Sequence, residues 1–253
     1  MNTILYLLTI NYDSDFSNRL MPTSYTLQEP SKKKKSVGLK ILSFVLKPIL
    51  LLGFPFWLMI RGCIFLYQYF EMYTWLAFIL GLAITLFVLL IYVTFIYRKL
   101  LGKQFITPLE FRWNFYFTTV LLIGYCVFAM LSFSAKNSKH PEIQAEYTSL
   151  HPFLRLGVRT LMLMDKDLLI TDAKRIPKDY KKMGLATKQL SLHYVQASGY
   201  SHAMDIRVND RSEIRNFLVT IYFRMFGFNV IRHVGTADHL HVSLSPIEYP
   251  NRK

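Results

Sequence analysis

Apolar residues are not spread evenly along this chain. They run almost unbroken in three stretches between residues 41 and 133, whereas from residue 134 onward apolar and polar positions interleave as in a water-facing domain. The stretch 72–97 carries no charged residue and is long enough to cross a hydrocarbon core of about 30 Å. The stretch 113–133 is also charge-free, and its aromatic start suits a membrane interface. The stretch 41–60 holds Lys47 and Pro48 near one end and Pro55 inside, so it is expected either to kink or to lie partly in the interface. The organisation predicted is a polar and basic tail over 1–36, a membrane region over 37–134 with about three spans, a polar linker over 135–149 and a folded domain over 150–253.

Within that last part, the spacing of Phe153, Leu154, Val158, Leu161 and Met162 predicts a helix over 150–164. Residues 168–171 read as a short buried strand. The polar, Lys-rich stretch 172–190, with Pro177 and Gly184, reads as a long loop with one helical turn. Residues 203–208 alternate like a strand and place Asp205 between apolar neighbours. Asp210, with Glu213 three residues on, predicts the cap of a helix over 212–225 that Gly227 stops. Two further strands follow, 228–234 and 239–245, joined by a turn. A period of two puts Leu240, Val242 and Leu244 on one face of the last strand and His239, His241 and Ser243 on the other. The expected fold class is an α-helical membrane region followed by an α+β domain with a small, mostly antiparallel sheet.

The formal net charge of +14 invites a nucleic-acid reading. Many of the bases sit where membrane topology would put them: Lys32 to Lys35 precede the first apolar stretch, and Arg98, Lys99, Lys103 and Arg112 separate the other two. Such flanks fit contact with anionic lipid and a cytoplasmic loop. The other connection, 61–71, carries only Arg61 and Glu71. With three spans this predicts a cytoplasmic N-terminus and an extracytoplasmic C-terminal domain in the cell membrane. From residue 135 onward there are 18 Lys and Arg against 11 Asp and Glu, without a basic stripe interleaved with aromatics, so no nucleic-acid partner is expected. Three spans exceed what an anchor needs, which hints at a further membrane partner. Cys63 and Cys126 lie in or beside apolar stretches and form no metal motif or disulfide framework. Residues 4–10 are too short to span, and Asp13 and Asp15 after them argue against a cleavable signal peptide. Met21 is a second candidate start.

The chemistry-bearing residues are Asp205 and the pair His239 and His241, which project from one face of a strand. A zinc ion takes His nitrogen and carboxylate oxygen at about 2.0–2.1 Å, and a hydrolytic site uses three protein ligands. One more histidine would complete the set.

The order of these parts resembles the D-alanyl-D-alanine metallopeptidases, in the wider group with lysostaphin and the hedgehog fold. Their pattern SxHxxGxAxD is similar to Ser191-Leu192-His193 followed by Ala203-Met204-Asp205, and Asp238-His239-Leu240-His241-Val242 resembles their closing strand. Upstream, Ile170 to Pro177 resembles their ITSGYRSP segment. The resemblance covers about residues 150–245. It departs from the pattern in that His193 lies twelve residues before Asp205, a five-residue insertion, and no glycine stands at the motif's glycine position.

The resemblance implies a hedgehog/D-Ala-D-Ala peptidase type of sheet and a Zn2+ cofactor held by His193, Asp205 and His241. His202 is the competing third ligand, disfavoured because the strand period turns it away from Asp205. It implies Asp238 as general base, with His239 as the alternative base or oxyanion donor, and Arg175 on a substrate carboxylate or oxyanion. It further implies metal-activated hydrolysis of peptidoglycan stem peptides or cross-links, by a carboxypeptidase or an endopeptidase. The competing reading is an inactive member of that fold that binds wall peptide or serves a structural role.

Overall fold

The computed structural model describes residues 37–182, 184, 186–187, 189–235 and 238–247, with side chains described from residue 53. The basic tail, Met21 and residues 4–10 lie outside them. The chain divides into two units, Met1–Leu46 and Lys47–Lys253. Of the first, only the start of helix α1 (Val37–Tyr69) is described.

Two helices among the described residues are long and apolar enough to cross a membrane, α2 (Thr74–Leu101) and α3 (Pro108–Leu131). The connection between them is short because Gly102 ends α2 with φ +62° and Thr107 starts α3 through a reciprocal capping box with Glu110. Gly81 lets α2 approach α1: a Cβ there would stand 2.4 Å from Cys63 Sγ.

The connection 61–71 departs from expectation. α1 continues helical from the first stretch, through both prolines, to Tyr69, so Arg61 lies on a helix rather than in a loop. Met59, Ile60, Cys63, Ile64 and Tyr67 are all buried. Their helical spacing turns one face of α1 into a core shared with α2, α3 and the following domain, and that face is covered by protein.

Residues 135–149 also differ from a simple linker. They form a 3₁₀ turn (Ala135–Asn137), α4 (Pro141–Glu146) and a second 3₁₀ turn (Tyr147–Ser149). Asn137 donates to the carbonyls of Lys166 and Leu168 at 2.9 and 2.8 Å, and the buried Tyr147 hydroxyl donates to the Ala129 carbonyl at 2.7 Å. α5 (Pro152–Met164) follows, capped by His151. The Nδ1 of His151 accepts from the Phe153 amide at 3.3 Å, so its Nε2–H donates to Thr74 Oγ1 at 3.0 Å. The first residue of α2 is thereby pinned to the domain.

The sheet has four strands in the order β1-β2-β4-β3, each neighbouring pair antiparallel: β1 (Ile170–Asp172), β2 (Ala203–Arg207), β3 (Asn229–His233) and β4 (His239–Ser243). The short α6 (Pro177–Lys182) lies in the long loop, and α7 (Glu213–Phe226) joins β2 to β3. Alternation divides the faces. Met204, Ile206, Val230, Leu240 and Val242 join the core with residues of α5 and α7, while Asp205, Arg207, His233, His239 and His241 occupy the other face. The cap of α7 is Ser212, whose side chain accepts from Arg215, not Asp210. Asp210 adopts φ +64° and pairs with Arg207, which withdraws it from the helix start.

Gly227 ends α7 with φ +99°, and a Cβ there would meet the Arg61 guanidinium at 2.7 Å. Gly227→Ala is expected to cost about 1–2 kcal/mol, the usual penalty for an L-residue in that conformation. A thermal melt showing no loss would contradict that account of the turn.

Candidate metal centre

Three of the expected site residues meet at one point. β2 and β4 pair Asp205 directly with His241, and antiparallel pairing directs both side chains to the same face. His193 comes from an irregular segment held down by two backbone bonds. The Arg175 amide donates to the His193 carbonyl at 3.0 Å, and the His202 amide donates to the Leu192 carbonyl at 2.7 Å. The result is a group of possible ligands, His193, Asp205 and His241, in which the first two are buried and the third half-buried.

The spacing fits a small cation. Asp205 Oδ1 lies 2.9 Å from His241 Nδ1 and 3.3 Å from His193 Nε2, and the two nitrogens are 3.3 Å apart. Donors at about 2.0–2.1 Å from a tetrahedral centre stand roughly 3.3–3.4 Å from each other, so little movement is needed to accept a metal. The other nitrogen of His193, Nδ1, lies 3.0 Å from the Ala173 carbonyl oxygen. A proton there fixes the tautomer and leaves Nε2 as the lone-pair atom, the arrangement usual for ligating histidines. Two nitrogens and one oxygen suit zinc and other borderline divalent ions alike.

His202 lies elsewhere. Its Nδ1 donates to the Leu244 carbonyl at 3.2 Å and its Nε2 accepts from the Ser198 hydroxyl at 2.7 Å. Burial pushes its pKa down to about 4, so it is a neutral, fully bonded core histidine packed against His151.

Arg175 is turned onto the protein itself. Its Nη2 donates to Asp205 Oδ2 at 2.5 Å and its Nε to Asp172 Oδ2 at 2.8 Å, with Tyr180 beneath the guanidinium. Burial alone would raise the Asp205 carboxyl; the hydrogen bonds from His193 and His241 and the charge of Arg175 outweigh it and hold the group well below the usual carboxylate range. Asp172 is raised, because burial there exceeds the lowering by Arg175.

His239 and Asp238 both border the same cleft. His239 Nε2 lies 3.7 Å from Asp205 Oδ2, outside direct bonding distance. Asp238 accepts twice from Arg232, at 3.0 and 2.7 Å, and that hydrogen bonding lowers its pKa. Two residues that the sequence reading passed over also border the cleft, Asp172 and His233. His233 pairs with His239 across β3 and β4, their rings 5.0 Å apart. A symmetric pairing of the two predicted strands about their turn would have revealed it.

The cleft has a volume of about 1090 Å³, at or above the roughly 300–1,000 Å³ of compact small-molecule sites, and the three possible ligands lie in its wall. Comparison with models of known families, with curated proteins and with solved structures finds no match.

Proposed function

We propose that this chain is a membrane-anchored, zinc-dependent peptidase of the D-alanyl-D-alanine metallopeptidase type, acting on peptidoglycan stem peptides or cross-links. The observation that carries the reading is the convergence of His193 Nε2, Asp205 Oδ1 and His241 Nδ1 at separations of 2.9 to 3.3 Å in the wall of an open cleft. The order of motifs along the chain adds to it. A bound zinc ion would supply Lewis-acid activation of water for hydrolysis.

The protein's own groups take distinct parts. His193, Asp205 and His241 hold the ion. Arg175 positions Asp205 by occupying its second oxygen. His239 is the better proton-handling group, because Asp238 is engaged by Arg232, which weakens it as a base. The cleft's volume of about 1090 Å³ leaves room for a short peptide segment.

Placement supports the substrate. Thr74 at the start of α2 is bonded to the domain, and α3 leads into the domain, so the loop 102–107 lies at the far end of both helices. Arg98, Lys99 and Lys103 at that end fit the cytoplasmic side, an orientation in which the domain would face the cell wall.

The test uses the purified full-length chain in detergent. Zinc content and release of D-alanine or cleaved cross-links from peptidoglycan fragments are measured for wild type and His241→Ala. The expected result is zinc in wild type with release, and neither in the variant. Bound zinc with no hydrolysis, or no zinc at all, would remove the enzyme reading and leave the inactive, peptide-binding or structural one in its place.

A further inference from the structure

A second cavity lies between the domain-side ends of α2 and α3, and its inner end is a charge. The cavity measures about 250 Å³ and is walled by Phe78, Leu82, Ile123, Val127 and Leu131, with Arg155 of α5 beneath. Arg155 is 5% exposed. Its Nη1 donates to the Met130 carbonyl at 2.9 Å, and the Tyr200 ring lies 5.8 Å from the guanidinium. Its Nε donates to no acceptor among the described residues. One turn further along α5, Arg159 packs over the Phe128 ring at 4.4 Å, and its Nε is likewise without an acceptor. Among the described residues no carboxylate pairs with either arginine, whereas Asp165 nearby on the chain is held by Arg211 and Arg215.

An arginine stays charged when buried, and a buried charge is costly unless paired. Among the described residues nothing supplies that counter-charge. The route to Arg155 runs through a slot that is apolar on both walls and open at the side of two helices of membrane-crossing length. A soluble anion would have to traverse apolar surface to arrive there. An amphiphile would not: its chain fits between α2 and α3, and its headgroup reaches the level of Trp75, at the domain-side end of α2, where an interface is expected.

We propose that this slot binds one anionic membrane phospholipid, its phosphate on the Arg155 guanidinium and one acyl chain between α2 and α3. The site is separate from the metal centre and rests on the reading that α2 and α3 lie in a bilayer. Because Arg155 sits on the helix that underlies the sheet, a lipid there also ties the domain to the membrane surface at a fixed point.

Full-length protein in nanodiscs of equal parts phosphatidylcholine and phosphatidylglycerol provides the test, read by native mass spectrometry of the lipid retained after detergent release. Membranes are first washed with alkaline carbonate. A chain that washes off defeats the bilayer reading, while a chain that stays but carries no lipid defeats the site alone. Wild type is expected to retain one phosphatidylglycerol. Arg155→Gln is expected to lose that preference about tenfold, as when one charge-assisted hydrogen bond is removed. Val127→Trp fills the slot from a position 52% exposed and leaves Arg155 intact; it is expected to lose the lipid while keeping the wild-type melt. Equal retention of phosphatidylcholine, retention by both variants, or displacement of the lipid by inorganic phosphate alone would overturn the proposal.

Discussion

Asp205→Asn is expected to remove bound zinc from the full-length protein and to abolish the stabilisation that zinc confers. Asp205 is 2% exposed and is the only carboxylate in the ligand group. Loss of an outer partner of a ligand already costs about 10–100-fold in metal affinity, so loss of a ligand itself should reach at least the upper end of that range. An ion present at about 1,000 times its Kd stabilises the folded state by about 4 kcal/mol. A chelator should therefore lower the melting temperature of wild type by on the order of 10 °C and leave Asp205→Asn unmoved. Equal zinc content in the two proteins, measured by elemental analysis, would defeat the assignment of this site. The full chain is required for the comparison, since Met59, Ile60, Ile64 and Tyr67 of α1 complete the domain core, and a fragment starting after them would lose that packing.

How much of this was legible beforehand depends on whether a position is fixed locally or by distant contacts. Asp205 and His241 stand on strands whose alternation is visible in the residues themselves, and a period of two assigns their face without knowing the partner strand. α5 and α7 were legible for the same reason, through helical spacing and the stop at Gly227. His193 is different. It lies in no helix or strand, and only the bonds from the Arg175 and His202 amides bring that segment over the sheet. Spacing along the chain cannot show that, which is why His202 remained a rival until its two nitrogens were seen on Leu244 and Ser198.

The end of α1 was not legible in the same way. Its apolar run ends at Arg61, so a window of hydropathy ends the element there. The burial of Cys63, Ile64 and Tyr67 follows a helical stripe instead, covered by α2 at Cys63 and by the domain at Ile64 and Tyr67. Hydropathy alone does not distinguish a segment covered by lipid from one covered by protein. The role of Arg175 was obscured by a similar limit. A basic residue in a Lys-rich loop has no visible partner in sequence, and its two carboxylates come from opposite strands of a pair, Asp172 of β1 and Asp205 of β2.

That arrangement makes Arg175→Met the second large effect, and one that depends on both metal and pH. Arg175 is the cation between two carboxylates that strand pairing forces together, and its side chain is 15% exposed. Removing one partner of a buried pair typically costs about 3–5 kcal/mol. In the metal-free protein that cost should appear in full, as a fall in melting temperature on the order of 10 °C. In the zinc-loaded protein it should be smaller, because the ion's charge also faces Asp205.

Acidity should act in a definite direction. Burial already raises Asp172, and without Arg175 it rises further. A carboxyl whose folded-state pKa lies above its unfolded value takes up its proton in the folded state first, so the folded state gains stability as pH falls through that pKa. Wild-type Asp205, held low, behaves in the opposite sense and loses its contribution only as pH falls below the ordinary carboxylate value near 3.9. The gap between metal-free wild type and Arg175→Met should therefore narrow as pH is lowered from 7 toward 5. A gap that is constant over this range, or equal with and without zinc, would mean that Arg175 is not the group that holds Asp205 in its ionised, ligand-ready state.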